Sequence, residues 1–119
     1  MFNRNSKLVI KSSEAVYISS ELKSVLDSLD PGHKKNKWIE KMKIDLKANM
    51  LKGKKIKKEQ IPDHYIQRYE VDNLFQYRHP EGYRSCYTLY YFEGPSVCPV
   101  ILDLNPHPKY DKIFGYKTS

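Results

Sequence analysis

Tyr83-Arg84-Ser85-Cys86-Tyr87-Thr88-Leu89-Tyr90-Tyr91-Phe92 decides the fold. Its period is two: Tyr83, Ser85, Tyr87, Leu89 and Tyr91 fall on one face of an extended strand, Arg84, Cys86, Thr88, Tyr90 and Phe92 on the other. The first face is suited to pack on helices, while the second, bearing Arg84, looks away. Upstream, His79-Pro80-Glu81-Gly82 reads as a turn and Leu74 to Arg78 as a preceding strand. Downstream, Glu93-Gly94-Pro95-Ser96 reads as a second turn, with Val100 to Leu104 as the next strand. Pro99 has no N–H to give a ladder, so that strand is expected to begin after it or to be irregular there. The three segments form an antiparallel meander. On this hairpin Cys86 falls opposite about Asp103, so Cys86 and Cys98 do not face each other and are expected to be reduced.

Before residue 73 the period is that of a helix. Ile18, Leu22, Val25, Leu26 and Leu29 recur as an amphipathic stripe, with Ser19 or Ser20 as cap and Asp30-Pro31-Gly32 as stop. A second helix is expected from about Asn36 to Leu51, with Trp38, Ile39, Met42, Leu46 and Met50 on one side and lysines on the other, ended by Gly53. The two helices, joined by a short turn, are expected to form a hairpin. Leu8-Val9-Ile10 suggests a short first strand, and Lys54 to Tyr65 a basic connector broken by Pro62. The expected class is α+β, an N-terminal helical hairpin packed on a twisted antiparallel sheet.

A length of 119 residues is the size of one domain, 1–119, and 39% hydrophobic residues suffice for one core. No apolar run approaches the roughly 20 residues that span a membrane, and Met1 to Lys11 has no stretch fit for a secretory signal. The expectation is a soluble cytoplasmic protein.

The net charge of +7 is concentrated. Eleven lysines lie between Lys34 and Lys58 against Glu40 and Asp45, a local +9, and the rest of the chain has 10 cations to 12 acids. Such a segment is either a solvated helix face with a soluble loop or an attractor of polyphosphate, where each neutralised phosphate releases counterions. Lysine alone does not distinguish RNA, DNA, acidic protein and anionic lipid.

Gly82-Tyr83-Arg84-Ser85-Cys86-Tyr87 resembles the G-Y-R-apolar-apolar-Y strand of the RelE/ParE toxin superfamily, matching it at Gly, Tyr, Arg and the final Tyr. The wider stretch Asn73 to Arg84 and the ending His107-Pro108-Lys109-Tyr110-Asp111-Lys112-Ile113-Phe114-Gly115-Tyr116 are similar to a group of archaeal RelE-like proteins. The resemblance implies a helical hairpin on one face of a sheet whose other face is concave and basic. It also implies either a ribosome-dependent endoribonuclease that cuts messenger RNA in the A site or a relative directed at DNA gyrase, with a small antitoxin as partner. Fold alone does not choose between them.

Cleaving RNA without a metal requires deprotonating the 2′-hydroxyl, stabilising the phosphorane and protonating the leaving 5′-oxygen. Arginine suits the second task, because its fork binds phosphate bidentately and keeps its charge. Arg84 matches the arginine that the interferases place at the scissile phosphate; its ordinary alternative is a strand arginine paired with a carboxylate. Arg78 is a candidate second phosphate ligand or a rim charge. The family's lysines on the first meander strand are absent, since that stretch reads Phe75-Gln76-Tyr77-Arg78. So is the arginine after the last strand, where His107-Pro108-Lys109-Tyr110 stands instead. His107 is a candidate acid or base, since imidazole is the side chain whose unperturbed charge change falls near neutrality, or a simple turn residue between two prolines. Tyr110 or Tyr116 is a candidate for stacking or positioning. Lys52, Lys54, Lys55, Lys57 and Lys58 are the candidate RNA-docking residues.

Nothing in the chain calls for a cofactor. There is no phosphate-cradling glycine loop, no paired cysteines at metal spacing and no Ser/His/Asp signature, and His33, His64, His79 and His107 are too scattered to suggest zinc. Beside the endoribonuclease stand two alternatives: a catalytically silent or gyrase-directed relative that binds nucleic acid or a protein, and a plain interaction domain.

Overall fold

Ser19 starts the first helix. In the computed structural model, which describes residues 15–91 and 96–115, its hydroxyl accepts from Leu22 N at 3.1 Å and donates to Leu102 O at 2.7 Å. Helix α1 (Ser20–Asp27) is thereby capped and tied to the sheet in one step. Ile18, expected as the first rung of its apolar stripe, instead belongs to strand β1 (Tyr17–Ile18). The expected strand at Leu8 to Ile10 lies outside the described residues. Helix α2 (Lys34–Ala48) is capped by His33, whose Nδ1 accepts from Lys35 N at 3.0 Å. Leu22 and Leu26 of α1 and Ile39, Met42 and Leu46 of α2 share one buried cluster with Phe75, Tyr77, Tyr87 and Ile101 of the sheet.

Gly53 does not end α2. The chain leaves helical geometry at Asn49, whose side chain accepts from Leu51 N at 3.0 Å. Gly53 is needed four residues later for space: a Cβ there would lie 2.5 Å from Gln76 O and 2.7 Å from the Tyr87 ring. Tyr87 anchors this passage, its hydroxyl donating to Met50 O and accepting from Gly53 N, both at 2.9 Å.

The expected basic connector carries structure: strand β2 (Lys54–Lys55), a 3₁₀ turn at Lys58–Gln60 and helix α3 (Asp63–Tyr69). Strands β3 (Phe75–Arg78), β4 (Arg84–Tyr91) and β5 (Val97–Ile101) form the expected antiparallel meander. Most of the turn that joins β4 to β5 lies outside the described residues. Sheet order is β1-β5-β4-β3-β2, and β1 pairs with β5 in parallel, so the sheet is mixed rather than antiparallel. Helix α4 (His107–Phe114) follows, with Pro108 in its first turn, where a missing N–H is harmless. The class is α+β.

Strand β5 runs through Pro99, which pairs with Leu89. The Asn73 side chain takes both backbone groups of Leu89, accepting from its N at 2.8 Å and donating to its O at 3.0 Å. Leu89 thus spends its backbone groups on the β3 side, Pro99 needs no donor toward β4, and β1 pairs only from Val100 onward. Both cysteines are free, Cys86 buried and Cys98 partly so.

The expectation of one open sheet face is corrected. Tyr65, Cys86, Leu102 and Tyr110 form a second buried cluster with Ile56, Ile61 and Leu74, so α3 and α4 cover much of the face opposite α1 and α2. No helix among the described residues is long and apolar enough to cross a membrane.

Candidate functional site

Arg78 of β3 and Arg84 of β4 are register partners. Arg84 exchanges both backbone hydrogen bonds with Asn105 on its other side, each at 2.8 Å, so toward β3 it forms a non-hydrogen-bonded pair. In such pairs the Cα atoms approach to about 4.5 Å and the side chains are closest. Between the Cys86 and Arg84 pairings the register shifts by one, so Ser85 faces both Asp103 and Leu104. This bulge turns Asp103 inward. Its carboxylate accepts from Cys86 N at 2.9 Å, Tyr65 OH at 2.7 Å and Asn105 Nδ2 at 3.0 Å. Burial raises the pKa of both Asp103 and the Cys86 thiol.

Arg84 projects onto the α4 side, its guanidinium carbon 5.4 Å from the centre of the Tyr110 ring. Its Nη1 donates to Gly82 O at 3.2 Å. Gly82 adopts φ +77°, and a Cβ there would stand 3.6 Å from the Cβ of His107, which places His107 beside the same turn. His107 Nε2 lies 3.1 Å from Asp111 Oδ2 one helical turn on; the imidazole is half exposed and the carboxylate largely buried. The carboxylate orients the ring through Nε2. Tyr110 is only 2% exposed, and its hydroxyl accepts from Gln76 Nε2 at 2.8 Å. It supports Arg84 from below and is poorly placed to exchange protons with a substrate.

No family model, curated protein or solved structure matches this chain.

Of the candidate residues, Arg78, Arg84, Tyr110 and His107 therefore converge on one end of the β3–β4 hairpin. Lys54 joins them as the register partner of Gln76. Lys52, Lys54 and Arg78 line an open groove of about 400 Å³ with Lys41, Asp45 and Tyr77. In it Asp45 is occupied: Tyr77 OH donates to it and Lys41 Nζ lies at 3.1 Å, and both hold its pKa down, the hydroxyl more strongly. Lys55 pairs with Phe75, so strand alternation sends it to the sheet face opposite Lys54. Lys57 and Lys58 are exposed at the 3₁₀ turn and do not line the groove. Tyr116 lies outside the described residues. Among the described residues no group of three or more His, Cys, Asp or Glu side chains is placed to hold a metal ion.

Sequence reasoning missed Gln76, Asp111 and Asn105. The spacing of four between His107 and Asp111 was a usable signal once Pro106-His107-Pro108 is taken as a helix start. Asn105 had none, because its role comes from the bulge.

Proposed function

We propose that this protein is an endoribonuclease of the RelE type, acting as a toxin that cuts messenger RNA on the ribosome. One observation carries the reading. Two arginines face each other across adjacent strands, and neither has a carboxylate partner among the described residues. Like charges directly opposed on a sheet are unfavourable, and a phosphodiester between them would offset that cost while receiving the bidentate donors it needs. In this reading Arg84 stabilises the phosphorane and Arg78 holds the same or the neighbouring phosphate. His107, oriented by Asp111, moves a proton to or from a ribose oxygen. Tyr110 and Gln76 hold Arg84 in place, and Lys52 and Lys54 extend the cationic track along the edge of the sheet. Ribosomal RNA and a small antitoxin are the partners this reading calls for.

A catalytically silent or gyrase-directed relative is the alternative, and it is favoured by the burial of Tyr110, which leaves that hydroxyl poorly placed to exchange protons with a substrate. Single-turnover incubation of the protein with programmed ribosomes separates the two. Cleavage within the A-site codon supports the nuclease, and tight binding without cleavage overturns it.

A further inference from the structure

A second cavity opens away from the arginine pair, where α1, α3 and α4 converge on residues 102–106. Its volume is about 500 Å³, within the ~300–1,000 Å³ of small-molecule sites. Leu22, Val25, Leu104 and Ile113 give it apolar walls, and the ring of Tyr83 gives an aromatic one.

Its charges do not cancel. Glu21 is occupied by Arg68, whose Nη2 lies 2.9 Å away. Asp103 is saturated by its three donors. Three cations of the lining, Lys35, Arg68 and Lys109, thus stand against the carboxylates of Glu21 and Asp103, with His64 beside them, and the ammonium groups of Lys35 and Lys109 pair with no carboxylate among the described residues. Lys35 Nζ stands at the wall itself, 5.0 Å from the centre of the Tyr83 ring. An apolar and aromatic chamber with two uncommitted ammonium groups fits a flat heteroaromatic body that carries an anion.

We propose that this cavity binds a nucleotide, its base against Tyr83, Val25 and Leu104 and its phosphate between Lys35 and Lys109. The choice of a nucleotide over other aromatic anions rests on the RNA reading above, because three residues that line the cavity, Tyr83, Asn105 and Lys109, are joined to the arginine site through the backbone. Tyr83 precedes Arg84 in the chain, Asn105 pairs with Arg84 through both backbone groups, and Lys109 lies one turn-half beyond His107 in α4. The ligand is either a nucleotide of an RNA chain whose reacting phosphate sits at Arg84 or a free mononucleotide.

The test is a titration of the isotopically labelled full chain, followed through its backbone amide signals, with 5′-adenosine monophosphate, adenosine and inorganic phosphate. The monophosphate should move the signals of Val25, Leu104 and Lys109 and bind at least about tenfold tighter than either fragment, since a charged hydrogen bond is lost with each ammonium contact forgone. Lys35→Ala with Lys109→Ala should cost about tenfold or more in affinity. Val25→Glu should do the same with an unchanged melting temperature, because Val25 is 52% exposed and its replacement adds only a repelling charge. Adenosine binding as tightly as the monophosphate, shifts confined to Arg78 and Arg84, or indifference to Val25→Glu would each overturn the proposal. A 2′-O-methyl trinucleotide distinguishes the sources. If it displaces the monophosphate and is weakened by Val25→Glu, the cavity serves an RNA chain; if the monophosphate binds and the trinucleotide does not compete, it serves a free nucleotide. Loss of trinucleotide binding alone, with monophosphate binding intact, would remove the RNA reading and leave the cavity standing.

Discussion

Arg78 and Arg84 form a cross-strand pair of like charge with their side chains on the same face of the sheet and Asn105 holding the backbone of Arg84 from behind. A fold that needed only a sheet there would place a carboxylate opposite one of them. The pair is a cost in the empty protein and an asset once a phosphate lies between the two guanidinium groups.

Removing one charge should therefore raise stability. Arg78→Gln is expected to stabilise the free protein by roughly 0.2–1 kcal/mol, more at low salt than at high salt, as read from urea midpoints. The same variant should bind RNA more weakly and with a shallower salt slope, by about one counterion. A fall in stability would mean that Arg78 has a favourable partner the pairing does not suggest.

Catalysis should depend on Arg84 more steeply than binding does. A contact that strengthens as charge develops on the phosphorane acts on kcat, and loss of one such donor typically costs about 10²- to 10³-fold. Arg84→Ala should show that loss in single-turnover cleavage on programmed ribosomes while ribosome affinity changes far less. Tyr110→Phe keeps the ring under Arg84 and removes the hydroxyl that accepts from Gln76, so its effect should be small if Tyr110 is a support and large if its hydroxyl transfers a proton.

His107→Ala should lower cleavage by about 10²- to 10⁴-fold and remove one limb of the pH–rate profile. Asp111→Asn keeps the shape of the orienting group and loses its charge. It should displace that limb and reduce the rate by less than His107→Ala does. Equal partial losses in both variants, with both limbs of the profile kept in each, would make the pair structural.

The meander was legible because alternation over Tyr83 to Phe92 is a local signal, and α1 and α2 were legible because their apolar residues recur at helical spacing. The rest depended on contacts distant in sequence. Helix α3 buries only Tyr65 and emerges from a lysine run that reads as a loop. Helix α4 begins among prolines, which read as a turn unless Pro is taken as a first-turn residue. Strand β1 pairs through two residues only, too few for a period. The site residues were found as separate candidates, and their convergence needed the register that sets Arg78 against Arg84 and the bulge at Asp103. Lys54 and Lys55 show the same limit. Adjacent and identical in sequence, they are sent to opposite faces by the pleat.

The stability of the fold should fall in mild acid, and His79 is the reason. Its ring is buried among Trp38 at 6.2 Å and Tyr77 at 4.9 Å between ring centres, and its Nε2 is 2.8 Å from the Ser85 hydroxyl. Lys34, 5.8 Å from the centre of the Trp38 ring, engages Glu81 at 2.8 Å. Burial pushes the imidazole from its ordinary 6.5 down to about 4. A base whose folded pKa is depressed contributes stability that is fully present above its unfolded pKa, and that stability is lost as pH falls toward the folded value. The window is therefore pH 6.5 to about 4, and the amount is on the order of 3 kcal/mol at 1.36 kcal/mol per unit. Asp103 works in the opposite sense, because burial raises its pKa and protonation relieves it, so the wild-type curve alone does not isolate His79. His79→Gln does: it keeps a neutral polar group near Ser85 and cannot titrate. Denaturant midpoints of the two proteins should separate most at pH 7 and converge as the pH approaches 4. A difference that stays constant across that range would show that the imidazole does not change its protonation on unfolding.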